Sequence, residues 1–464
     1  AKLRDIVISH KAPGKPLEVT TAVIDGVEMP VFARTPKNLR ELYTLGLEAA
    51  DKDFLVYNDE RFTFGQTVSV ARDVANGLIN RYGISKGDRV AICSRNYPEW
   101  CLAYMAATLI GAIVVPMNSW WQASELQYGL EDSGSRVLFA DQERIDLLHP
   151  IAGTLQTEIV AIKPEPASTD PWPDFFALAR EGAAGPQHDL DAIDILPDDN
   201  ASIMYTSGST GFPKGVLSTH RAIINAIYSW LFGKEVNDIM YPELVEENPE
   251  FDPGILSNVP LFHVTGSHAQ FLASFVWKRK FVMMYKWNAE KALELIEQER
   301  LSVLHGVPTM TWEVMNSPMF DKTDLRSLRS AIVGGAPMPA PLLRTFHSRG
   351  VRLTQGYGLT EAGPNVLHLP ADADRDDARS RGPEPVDLGQ REELGGMPHG
   401  VTDRGSEHRA ADPVAPYVEI FRRSGHVVVP HLGLRLAQRA SARVALAPSP
   451  APPQTCEARV GLSP

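Results

Sequence analysis

The sequence predicts an α/β fold with mainly parallel sheets flanked by helices. Helical and strand-like runs alternate from about residue 38 to 360, a pattern that implies parallel strands covered by helices. A Gly/Ser/Thr-rich loop at 204–215 is bracketed by apolar runs, which places it between strands and not in a linker. No internal repeat is visible.

The elements follow in order. Asn38 to Ala49 reads as a helix capped by Asn38. Phe54–Tyr57 and Arg61–Phe64 form a hairpin around Asn58-Asp59. Phe64 to Arg81 is helical, with Gly83 just past its end. Arg89–Ser94 is a strand. Cys101 to Met117 is uncharged and nearly all apolar, about as short as a spanning helix can be. Gly111 and Pro116 interrupt it, so the expectation is a buried helix, Pro98 to Ile110, feeding a strand at Ile113-Val114-Val115. Ser124–Asp132, capped by Ser124, is a helix; Arg136–Ala140 and Glu158–Ile162 are strands. Lys163 to Asn200, rich in Pro and Asp, reads as a surface connection with one short helix.

Beyond it come strands at Ala201–Thr206 and Val216–His220, then an acidic loop at Glu235–Gly254. Ile255–Pro260, Lys280–Tyr285, Leu301–Gly306, Ser330–Val333 and Val351–Thr354 are strands. Val264–Trp277 and Asn288–Glu299 are helices. The expected organisation is a first α/β lobe at 1–195, a second at 196–370 that begins with the loop, and an atypical tail at 371–464. The tail holds twelve Arg and no Lys, and it is poor in large apolar residues. Such a segment can bury little apolar surface, so it reads as irregular or disordered. Its composition resembles a GC-rich gene read out of frame.

Composition sets further bounds. The 464 residues can bury large cores in more than one domain. A net charge of −12 argues against nucleic acid as a partner. Three cysteines without metal or redox spacing fit a reduced, cytoplasmic setting. The charged start, Ala1 to Pro16, reads as no signal peptide. No transmembrane segment is expected, and the oligomeric state is not readable.

The chemistry begins at Met204 to Gly215, with four Ser/Thr hydroxyls, three glycines and Lys214. Glycines let backbone N–H groups turn inward on phosphates, hydroxyls add hydrogen bonds, and lysine adds a mobile charge. The spacing is not that of a Walker loop. The run resembles the phosphate-binding motif of the AMP-forming adenylate synthetases: acyl-CoA ligases, peptide-synthetase adenylation domains and luciferases. It implies ATP contacts from Thr206, Ser207, Gly208, Ser209, Thr210, Gly211 and Lys214.

Further runs carry the same resemblance, which covers about residues 38–370. Pro260-Leu261-Phe262-His263-Val264-Thr265-Gly266 resembles the turn bordering the acyl and pantetheine tunnel; taken alone, His263 reads more readily as a packed core histidine. Gly334-Gly335-Ala336-Pro337 offers small residues on which a flat ring can lie. In Gln355-Gly356-Tyr357-Gly358-Leu359-Thr360-Glu361, Tyr357 can stack on adenine, Gln355 can read its amino edge, and Thr360 can bond the α-phosphate. Glu361, with Thr206, would hold Mg²⁺, which wants oxygen ligands. Asn96-Tyr97-Pro98-Glu99-Trp100 and Gly306-Val307-Pro308 are weaker agreements.

The resemblance implies the large N-terminal domain of the adenylate-forming fold, and a ligase using ATP, Mg²⁺ and CoA as co-substrate. Lys214, Thr206, Glu361 and His263 would serve its chemistry. No acid lies between Leu261 and Phe275, and the pocket candidates His263, Val264, Gly266, Ser267, Gly306, Val307 and Gly334 carry no carboxylate. An apolar, fatty carboxylic acid is the favoured substrate. The tail departs from the family: it shows no ribose-binding Thr-Gly-Asp, no Gly-Arg-x-Lys-Asp hinge and no lysine after Lys322. The alternative is therefore a non-catalytic ATP- or acyl-adenylate-binding remnant.

Overall fold

The computed structural model describes residues 2–166, 170–206, 212–240, 242, 250–336, 344–346, 348–349, 351–368 and 427–428. In chain order its strands are β1 (Val19–Ile24), β2 (Val27–Phe32), β3 (Asp53–Tyr57), β4 (Glu60–Thr63), β5 (Arg89–Cys93), β6 (Ile113–Pro116), β7 (Val137–Asp141), β8 (Glu158–Ile162), β9 (Asn200–Thr206), β10 (Lys214–Thr219), β11 (Gly254–Ser257), β12 (Lys280–Met283), β13 (Val303–Gly306), β14 (Ser330–Val333), β15 (Arg352–Leu359), β16 (Gly363–His368) and β17 (Val427–Val428). Apart from the hairpin β1–β2, they form a six-stranded sheet, β10-β9-β6-β5-β7-β8, and a nine-stranded sheet, β17-β16-β15-β14-β13-β11-β12-β3-β4. Antiparallel pairing is confined to the sheet ends, at β9–β10, β3–β4 and β15–β16–β17. The parallel α/β expectation holds.

The division expected at residue 195 does not separate the sheets. β9 and β10, which flank the Gly/Ser/Thr loop, complete the six-stranded sheet, while the early strands β3 and β4 belong to the nine-stranded one. The reason is pairing. Thr206 sits opposite Lys214, so the loop closes an antiparallel hairpin that cannot be shared between sheets. β3 pairs in parallel with β12, more than two hundred residues later in the chain.

Local signals explain most boundaries. The Asn38 side chain accepts from the Glu41 amide, and Thr63 and Gln66 form a reciprocal cap on the helix Phe64–Tyr82. Gly83 ends that helix at φ 61°, a left-handed conformation that glycine adopts without strain. The helix Pro98–Ile110 is buried along its whole length. No helix among the described residues is long and apolar enough to cross a membrane.

Four expectations need correction. The helix Ala123–Ser133 is capped by Gln122 with Glu125, not by Ser124, because Gln122 is the residue with extended backbone. The stretch 163–200 is more than a surface connection: the helix Phe175–Ala184 buries Phe175 and Leu178 against the helix Phe64–Tyr82. The segment after Val264 is a π-helix, Thr265–Leu272, continued by an α-helix, Ala273–Trp277. The acidic loop is in part helix, since His220–Met240 runs past Glu235. The expected tail lies outside the described residues, except that Val427 and Val428 pair with His368 and Leu367.

Candidate functional site

In the nine-stranded sheet the chain goes from β11 to β12 on one side and returns across β11 to β13. The connecting helices therefore lie on opposite faces. Phe271 and Phe275 pack in one core, while Leu293, Ile296 and Val314 pack in the other. Such a reversal opens a crevice beyond the carboxyl ends of the two strands, where open α/β sheets bind ligands. The Phe262-His263 turn and Gly306-Val307 lie at this edge.

The turn is held from the other sheet. Asn96, just after β5, donates to the Val259 carbonyl and accepts from the Leu261 amide. Gln270 of the π-helix donates to the Asn258 side chain and to the His305 carbonyl. His263 packs its ring 4.5 Å from Phe262 and keeps solvent contact, while desolvation by surrounding protein lowers its pKa.

Gly266 and Ser267, expected at the acyl pocket, also have packing roles. A Cβ at Gly266 would lie 2.4 Å from the Pro260 carbonyl oxygen, so glycine is required there by close backbone approach. Ser267 is fully buried and donates its hydroxyl to the His263 carbonyl. The small residues at these positions reflect the tight π-turn. Val264 is buried beside them.

The remaining edge residues converge. The Gly334 amide donates to the Gly306 carbonyl at 3.0 Å. Gly335, at φ 80°, points its missing Cβ toward Val307. Gln355 lies opposite Val333 and donates to the Ala336 carbonyl at 3.3 Å. Gly356, Tyr357 and Gly358 continue β15, which is longer than the expected Val351–Thr354 strand. A Cβ at Gly358 would overlap the Pro364 backbone at 2.3 Å, so this glycine allows the hairpin to close. Thr360 and Glu361 sit in that hairpin's turn, closed by the Ala362 amide on the Leu359 carbonyl. Pro337 lies outside the described residues.

Thr206 and Lys214 stand opposite one another at the base of the β9–β10 loop, with Lys214 exposed. Ser207, Gly208, Ser209, Thr210 and Gly211 lie outside the described residues. Tyr205 donates to Asp132 at 2.6 Å and ties the hairpin to the helix Ala123–Ser133. Burial, then the Asp132 carboxylate, raises its phenol well above the ordinary range. Phe212 is 65% exposed and rests on Tyr128, whose hydroxyl donates to the Pro213 carbonyl. The structure thus gathers Gly306, Val307, Gly334, Gly335, Ala336 and Gln355 at one edge, and Thr206 with Lys214 on the other sheet. No hydrogen bond or ion pair joins Glu361 to Lys214 among the described residues. A Thr hydroxyl and a carboxylate are oxygen donors of the kind Mg²⁺ takes alongside phosphates, so the donor chemistry fits that ion.

The sequence pattern of the AMP-binding enzyme family matches residues 47–386. The chain belongs to that family. The long-chain-fatty-acid–CoA ligase FadD13 of Mycobacterium tuberculosis is 32% identical over 319 residues, 68% of this chain and 58% of the relative. The 4-coumarate–CoA ligase 3 of Arabidopsis thaliana is 30% identical over 319 residues, 68% of this chain and 54% of the relative. The chain thus spans less than two thirds of these relatives. The solved N-terminal domain of FACL13 from Mycobacterium tuberculosis is similar at 28% identity and a TM-score of 0.59, over 72% of this chain and 79% of that one.

Proposed function

We propose that this chain is the ATP- and acid-binding part of an AMP-forming acid–thiol ligase, which joins a carboxylic acid to CoA through an acyl-adenylate. The observation that carries the reading is the convergence of Gly306, Gly334, Gly335 and Gln355 at the carboxyl edge of the nine-stranded sheet, in a chain of this family. The substrate carboxylate attacks the α-phosphate of ATP and pyrophosphate leaves; CoA thiolate then attacks the acyl-adenylate. The first step brings like charges together, so positive charge and N–H donors must be in place beforehand. Lys214 and the loop amides do this for the phosphates. Gln355 and Tyr357 hold the adenine, and Thr360 bonds the α-phosphate. Mg²⁺, held by Thr206 and Glu361, would neutralise charge on the departing pyrophosphate. His263 borders the entry for acid and thiol.

The uncharged lining of the edge favours an apolar acid, with a fatty acid as the specific proposal. Lys214→Ala is expected to weaken ATP binding by up to about 3 kcal/mol, the scale of a charged hydrogen bond. Calorimetric titration with unchanged ATP affinity would refute the assignment of the loop. A second reading is a non-catalytic binder of ATP or acyl-adenylate, favoured by the absence of lysine after Lys322. Pyrophosphate exchange on addition of a fatty acid separates the two: exchange supports the ligase, and ATP binding without exchange supports the binder.

A further inference from the structure

A sheet with helices on both faces normally presents apolar side chains to both. In the nine-stranded sheet one face obeys: Leu304, Ala331, Val333 and Leu353 lie in a single apolar cluster. The opposite face, by strand alternation, carries Ser330, Ile332, Arg352 and Thr354. There a cavity of about 350 Å³ opens between the strands and the helix His220–Met240, with Trp230 and Trp277 also in its wall.

Two guanidinium groups line this cavity, and among the described residues no lining side chain is an acid. Arg279 is only 8% exposed, and its Nε has no hydrogen-bond partner. Its Nη2 donates to the Ala269 carbonyl at 3.4 Å, and its guanidinium lies 4.6 Å over the Trp277 ring. Burial lowers its pKa to about 9, which leaves it a cation at neutral pH. Arg352 also has an unpartnered buried Nη1. The third cation, Lys234, is paired with Asp238. Buried charge without a partner is costly, so the site is built for an anionic group.

The cavity lies on the face that leads to the proposed acyl edge. Arg352 and Gly356 are four residues apart on the same side of β15, and Ser330 of β14 lies four residues before Gly334, just past that strand's end. At the usual rise per residue this is about 13 Å, the reach of a medium-length acid. We propose that the cavity receives the far end of the acid and that Arg279 and Arg352 select acids with a second, distal carboxylate. The flanking indoles would cover the methylene chain. This rests on the ligase reading above and changes its specific substrate from a fatty monoacid to a diacid with an apolar middle.

Calorimetric titration of the full chain with dodecanedioate and dodecanoate, and separately with ATP, tests it. Dodecanedioate is expected to bind roughly ten- to a hundredfold more tightly than dodecanoate, the scale of one charged contact. Arg279→Gln and Arg352→Gln should each reduce that ratio while ATP affinity stays at the parent value. Equal affinity for the two acids, or a ratio unmoved by both variants, with ATP still bound, overturns the proposal and leaves the ligase reading standing. Failure to bind ATP and either acid overturns both.

Discussion

His220 is fully buried, and its Nδ1 accepts from the Leu39 amide at the start of the helix Leu39–Thr44. Protonation would remove that acceptor and bury a charge. Burial accordingly lowers its pKa to about 4. Between pH 4 and about 6.5 the unfolded chain binds the proton and the folded chain does not, so stability is full above pH 6.5 and falls as pH drops toward 4. The loss is expected to approach about 3 kcal/mol for this residue. Buried His268, also lowered to about 4, acts in the same direction. Urea midpoints at pH 7.5 and 4.5 measure this, and His220→Gln should flatten the difference; a parent midpoint independent of pH would refute it. Gly266→Ala carries a different expectation. Its new Cβ would meet the Pro260 carbonyl, so a stability loss of about 1–3 kcal/mol is expected in urea unfolding. A variant of parent stability would show that the close approach of Gly266 to Pro260 is not needed for folding.

The helix Phe175–Ala184 gives a test in which the sign decides. Gly182 lies inside it, and on an exposed helix Gly→Ala stabilises by about 0.5–1 kcal/mol. Here a Cβ would lie 1.9 Å from the Asp73 carbonyl oxygen, at the crossing with the helix Phe64–Tyr82. Gly182→Ala is therefore expected to destabilise by about 1–3 kcal/mol in urea unfolding; a gain would return the segment to the status of a surface connection. This element also shows where the sequence was legible. Boundaries governed by local chemistry were readable: the Asn38 cap, Gly83 past the helix, and the interrupting Gly111 all act within one turn. Whether a helix docks depends on a partner a hundred residues away, and a Pro- and Asp-rich neighbourhood conceals it. The same holds at the site. The runs around Thr206, Gly334 and Gln355 announced themselves by composition. That Asn96 secures the His263 turn, or that Gly266 serves packing, depends on contacts between distant segments.

At the scale of the whole molecule, the sheets share one core. Val90, Ile92, Val114 and Phe139 of the six-stranded sheet lie in the same cluster as Phe54, Ile255 and Phe281 of the nine-stranded sheet. Trp100 and Phe271 meet edge to face inside it, with ring centres 6.5 Å apart. The chain also crosses from one sheet to the other after β4 and back after β10. We propose that the sheets unfold together, as one cooperative unit, in place of the two lobes expected on either side of residue 195. Phe271 belongs to the helix packed on the nine-stranded sheet, and Phe271→Ala should cost about 3–5 kcal/mol. Because the core is common, hydrogen exchange should speed up in β5 as well as in β11 and β12, and fluorescence and far-UV dichroism should follow one urea transition. Protection lost from β11 and β12 while β5 keeps its parent value would show that the sheets are separate folding units. Under one core, a substitution beneath His263 reaches Lys214 through stability. Activity lost in a core variant must therefore be compared at matched fractions folded before it is assigned to either half of the site.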